Sequence, residues 1–141
     1  MSKSYQKSKG RSTSPGQFVG IPIVVLDHED FRNLSNSAKI ALIAILREFN
    51  GKNNGDLSLP LSRARQWGIK SSATLVESIR ELESVNLIIR TRDPSLMRFA
   101  LRGQCSLFAV TWRPIDECGG KHDYLPTAAA PRKFSLEKLL K

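Results

Sequence analysis

The segment from Ser35 to Asn50 constrains this chain most. Ala38, Ala41, Leu42, Ile45, Leu46 and Phe49 recur at helical spacing, and Ser35 or Asn36 stands in front to cap the first turn. Ile40 and Ile43 widen the apolar face beyond one stripe. A helix with so broad an apolar surface has to be enclosed by its neighbours. Asn50-Gly51 is its expected stop, with Gly51 free to take left-handed backbone. Lys52 to Asp56 is turn chemistry.

The neighbours of that helix follow from similar signals. Pro22 fits the first turn of a short helix ending near Leu26, and Asp27 to Asn33 forms another. After the turn, Leu57-Ser58-Leu59 alternates like a very short strand. Pro60 starts a helix of about two turns through Trp67, ended by Gly68. A second helix runs from about Ser72 to Val85, with Leu75, Ile79 and Leu82 inward and Asn86 at the left-handed stop position. Leu87 to Thr91 reads as a strand, Asp93-Pro94-Ser95 as a turn, and Gln104 to Trp112 as a second strand. Ser106, Phe108, Val110 and Trp112 share one face of that second strand, and Trp67, Trp112 and Phe108 face the core.

The expected fold class is α+β, mostly α, divided into three parts. Residues 1–17 form a basic tail without apolar periodicity, 18–116 a single domain, and 117–141 a linker with a short C-terminal segment. No run of the 141 residues approaches a membrane span. Met1 to Gln17 carries no apolar stretch of a secretory signal, so the cytoplasm is the expected location. Cys105 and Cys118, with His28 and His122, lack the paired spacing of a zinc site and read as reduced thiols. His28, beside Asp27, Glu29 and Asp30, reads as a solvated loop or a helix start. No nucleophile–base spacing, Gly-rich phosphate loop or paired metal carboxylates occurs, so neither catalysis nor a cofactor is expected.

The net charge of +9 is unevenly spread. Residues 1–17 hold four cations and no anion, and residues 62–102 hold eight cations against four anions. Residues 27–61 hold four against five. Cationic charge therefore collects on one half of the domain and on the tails, which points to a polyanionic partner.

The order helix, short strand, helix, Gly-centred turn, helix, strand, loop, strand is the winged helix-turn-helix layout. The stretch from Thr74 to Ile88 resembles the recognition-helix-to-wing segment of bacterial winged-helix regulators: a Thr, apolar residues, Leu82-Glu83, then Leu87-Ile88. Asn86 stands where that family usually has Gly. Phe18-Val19 with Pro22, Leu34-Ser35, Asn50 to Gly55 and Thr111 to Pro114 resemble winged helix-turn-helix proteins of bacterial plasmids, phages and integrative elements, over about 100 of 141 residues. Gly68 to Thr74 is six steps where the family usually has five, and Glu77 stands where a neutral or basic residue is common.

The resemblance implies a protein that binds double-stranded DNA, as a transcriptional regulator or as a replication or maintenance factor of a mobile element. The expected contact residues are Arg63 and Arg65 on the first helix of the pair, and Lys70, Ser71, Ser72, Thr74, Glu77 and Ser78 around the second. Arg92, Arg98 and Arg102 flank the loop between the strands. Arg80 either joins them or pairs with a glutamate a helical turn away. The alternative is a protein-interaction module, favoured by Glu77 and Glu81 on the presumed reading face, with RNA binding as a variant. Phe134, Leu136, Leu139 and Leu140 are the candidates for a homodimer contact or for docking a protein partner, against a plain disordered tail.

Overall fold

The computed structural model describes residues 16–96 and 105–137. Two four-residue helices come first, α1 (Ile23–Leu26) and α2 (Glu29–Arg32). Pro22, with φ −59°, precedes α1, where its missing N–H costs nothing. His28 starts α2: its ring Nδ1 accepts the Asp30 amide at 3.0 Å. His28 is thus a helix start as the sequence suggests, but a buried one.

The central helix is α3 (Asn36–Leu46). The Ser35 hydroxyl caps it by accepting the Ala38 amide at 3.1 Å. Ala38, Ala41, Leu42, Ala44, Ile45 and Leu46 are all buried. It ends at Leu46, short of Asn50, because the amides of Glu48 and Phe49 turn to the nearer carbonyls of Ile45 and Leu46. Asn53 Nδ2 then donates to the Glu48 carbonyl at 2.9 Å, so a loop side chain replaces the next helical turn.

Two more helices follow, α4 (Leu61–Gln66) and α5 (Ser72–Ser84), and both end by the same device. At α4 the Gly68 amide bonds to Arg65 O and Ile69 to Ala64 O; at α5 the Asn86 amide bonds to Glu83 O and Leu87 to Leu82 O. The second residue past each helix is left-handed, Gly68 at φ +92° and Asn86 at φ +59°. The next one, Ile69 or Leu87, is buried and locks the turn. Asparagine tolerates that backbone best after glycine, which accounts for Asn86.

The strands β1 (Ile88–Arg92) and β2 (Leu107–Val110) pair antiparallel, Ile88 opposite Val110 and Arg90 opposite Phe108. A register shift between Arg90 and Arg92 marks a bulge at Thr91. The bulge turns Thr91 inward, and its hydroxyl donates to Gly55 O at 2.6 Å. On the other side of β2, Leu57 and Phe108 exchange both backbone bonds, at 2.7 and 3.2 Å. The short strand expected at Leu57–Leu59 is therefore one rung.

The next rung is supplied by a side chain. Asn54 is 0% exposed, and its Oδ1 accepts the Val110 amide at 2.8 Å while its Nδ2 donates to Val110 O at 3.1 Å. A side-chain amide has the donor and acceptor of a peptide group, so Asn54 acts as a strand residue without being one. The same Nδ2 reaches Pro114 O at 2.9 Å and Arg113 O at 3.2 Å, and the Asn54 backbone exchanges bonds with Asp116. Gly55 follows at φ +127°, where a Cβ would stand 2.6 Å from His122 Nε2. Only glycine permits that approach.

The expectation of a linker after residue 116 needs correction. Thr127 N donates to Ile115 O, Asp123 N to Thr91 O, and Arg132 N to Thr111 O, so the described part of 117–137 is strapped along the domain. Phe134 is buried in the core, edge-on to His28 and Trp112, so it is no partner-docking residue. The strap is pinned by Arg132, whose side chain is only 11% exposed. It bonds Asp30 at 2.7 Å, Glu137 at 2.8 and 3.0 Å and the Val85 carbonyl at 2.7 Å, and it stacks on Phe134. Leu136 is exposed, while Leu139 and Leu140 lie outside the described residues. Among the described residues no helix is long and apolar enough to cross a membrane.

Two outcomes follow from this packing. Asn54→Ala removes the partner of the Val110 amide and of three carbonyls, and should cost about 3 kcal/mol in urea unfolding. Arg132, by hydrogen bonding first and by charge, holds the Glu137 carboxyl below its usual range. Its stabilising contribution is complete above the ordinary carboxylate pKa and is lost as pH falls through the lowered value. The stability gap between wild type and Glu137→Gln should therefore close on acidification, as read by thermal unfolding between neutral and acid pH.

Candidate nucleic-acid interface

Helix α5 packs on α3 through Ile79 and Leu82, which fixes the face it turns outward. Ser71 caps it: the Thr74 amide donates to Ser71 Oγ at 3.1 Å, and Ser71 Oγ bonds Thr74 Oγ1 at 2.9 Å. Ser71, Ser72 and Thr74 are all exposed, so the first turn of α5 presents hydroxyls and open backbone amides to solvent. Lys70, just ahead of the cap, is exposed and has no ion-pair partner among the described residues. Arg65 joins this group, because its Nε donates to Lys70 O at 3.3 Å across the Gly68 turn. Two cations and three hydroxyls thus meet at one end of one helix.

The other expected contact residues divide. Arg63 is half-buried, its guanidinium spent on Ser58 O at 2.9 Å and on Glu48 at 3.7 Å. Arg92 is half-buried too, donating to Cys105 O at 2.9 and 3.1 Å and to Lys121 O at 3.3 Å. It fastens the base of the strand pair to the strap. Arg98 and Arg102 lie outside the described residues. Ser78 needs correction: it is 2% exposed and donates to Thr74 O at 2.8 Å, because it lies on the flank of α5 turned towards α3. Its hydroxyl is consumed inside the helix.

The glutamates do different jobs. Arg80 pairs with Glu77 one turn away, both side chains mostly exposed. Glu81 turns from the outer face to α3, taking the Ser35 amide at 2.6 Å and the Ser35 hydroxyl at 2.8 Å. That puts a carboxylate at the positive end of α3. Glu83 holds Arg90 bidentately at 3.0 and 3.1 Å, which ties α5 to β1 and holds the Arg90 guanidinium above its ordinary pKa. An open groove of about 400 Å³ runs between the start of α3 and α5, with Ser35, Thr74, Glu77 and Glu81 among its lining.

Two residues of the outward face were not singled out in the sequence. Ala73 is exposed and Val76 is 51% exposed, side by side on successive turns. Ala73 lies opposite Leu82 on the helical wheel, which was the available signal for it, whereas Val76 flanks Ile79 and had none. Among the described residues no group of three or more His, Cys, Asp and Glu side chains is arranged to hold a metal ion.

The chain is thus an α+β protein, mostly helical, with a small antiparallel sheet of two strands and one added rung. Comparison with family models, with curated proteins and with solved structures finds no match.

Because Glu81 bridges α5 to the cap of α3, Glu81→Ala should destabilise the fold by about 1–2 kcal/mol in chemical denaturation.

Proposed function

We propose that this chain is a winged helix-turn-helix domain that binds double-stranded DNA, serving a mobile element as a transcriptional regulator or as a replication or maintenance factor. In this reading α4, the Gly68 turn and α5 form the helix pair, and β1 and β2 flank the wing. The observation that carries it is the open first turn of α5. Ser71, Ser72 and Thr74 stand exposed beside Lys70 and Arg65, at the end of a helix whose backbone amides favour an anion. A helix of this width fits the major groove. The strand pair lies at the other end of α5, held to it by Glu83 and Arg90.

Phosphate capture supplies most of the affinity, because hydroxyls, amides and lysine position a protein on the backbone more than they read bases. Of the cations expected at DNA that lie among the described residues, Lys70 and Arg65 are exposed at this turn, whereas Arg63 and Arg92 have other work. The basic residues 1–17 add non-specific attraction. The association with mobile elements rests on the resemblance alone.

A protein-interaction module is the second reading, and the exposed Glu77 favours it. Glu81 does not support it, since that carboxylate caps α3.

Fluorescence anisotropy with a random-sequence duplex tests the proposal. Binding should weaken steeply with salt, and Arg65→Ala with Lys70→Ala should reduce the logarithmic salt slope by about 0.9 for each phosphate that is no longer neutralised. No binding at low salt, or a slope unchanged in the double variant, overturns it. Competition by single-stranded RNA better than by duplex would move the function to RNA.

A further inference from the structure

Val76 stands out on the exposed face of α5. It is 51% exposed in the middle of a helix that packs through Ile79 and Leu82, and Ala73 stands exposed one turn before it. A β-branched residue in a helix lowers helix propensity, and half of its surface remains in water. The fold itself gains little from a valine here.

The remaining chemistry of this face narrows what it can read. Within α5 the only arginine is Arg80, and its guanidinium is engaged by Glu77. The helix has no Asn, Gln or Lys, so the side chains that grip guanine or adenine bidentately are missing. What it offers is an aliphatic step, Ala73 and Val76. In the major groove the apolar group is the C5-methyl of thymine.

We propose that Val76, supported by Ala73, reads the C5-methyl group of thymine in the major groove, which biases the protein towards A·T pairs at the site of α5. This rests on the DNA-binding reading above and names what that interface selects.

The experiment uses the full chain and duplexes enriched by selection from a randomised pool. Each thymine of the enriched site is replaced by uracil, which keeps the base pair and deletes only the methyl. At one or two positions affinity should fall about fourfold per methyl removed. In Val76→Ala the thymine and uracil duplexes should bind alike, with the salt slope unchanged. Val76 is at the surface, and circular dichroism verifies that the variant is folded. Binding of DNA with no position sensitive to uracil, or a thymine preference that survives Val76→Ala, overturns this inference and leaves DNA binding standing. Failure to bind any duplex at low salt overturns both.

Discussion

The fold depends on one buried amide. β2 needs partners on both edges, yet among the described residues before Pro60 only Leu57 is a backbone partner on the outer side. The Asn54 side chain completes that edge and at the same time gathers the carbonyls of Val110, Arg113 and Pro114. It thereby joins the loop after α3 to the chain leaving β2. A polar side chain at zero exposure is tolerable only when its donors and acceptor are all engaged, and here they are. Gly55 and Thr91 extend the same joint, through the His122 contact and the Gly55 carbonyl.

Arg132 does comparable work between the strap and the end of α5. The C-terminal carbonyls of a helix lack intrahelical partners, and Arg132 takes two of those near the end of α5, Val85 O at 2.7 Å and Asn86 O at 3.3 Å. Its charge also suits the negative end of the helix. Burying a guanidinium is costly without compensation, and Asp30 and Glu137 supply it. The strap is therefore an integral layer of the core, closed by Phe134 under the guanidinium.

Periodicity and cap chemistry were legible in the sequence, and the tertiary use of polar side chains was not. The apolar spacing of Ala38 to Leu46 located α3, Gly68 and Asn86 located the ends of α4 and α5, and the aliphatic run at Leu87 located β1. The polar positions were another matter. Asn54 in Asn-Asn-Gly looks like any turn residue, and nothing local says that its amide meets Val110, 56 positions away. Pro126, the alanine run and Pro131 read as linker because a strap held by single backbone bonds has no periodic signature. Ser78 was placed outward because composition cannot tell which flank of a helix with polar residues on several sides meets its neighbour. Glu81 was set against DNA for the same reason, when its bond to Ser35 spans 46 positions. The contact candidates that stay exposed include those whose role needs only local structure: a cap, a hydroxyl turn and the lysine before it.

The two ends of α5 are built for opposite purposes. Its C-terminal half is fixed on every side, by Glu81 to α3, by Glu83 to β1 and by Arg132 to the carbonyls of Val85 and Asn86. Its N-terminal turn has only its own cap, Ser71 on Thr74. In the proposed function that asymmetry is useful. A helix anchored at its base can present a rigid, pre-formed tip, so that contact with a duplex orders little beyond the side chains of Arg65 and Lys70. Affinity then scales with phosphates neutralised, and selectivity is left to the few groups that project from the tip, where an aliphatic step weighs more because no bidentate side chain competes with it.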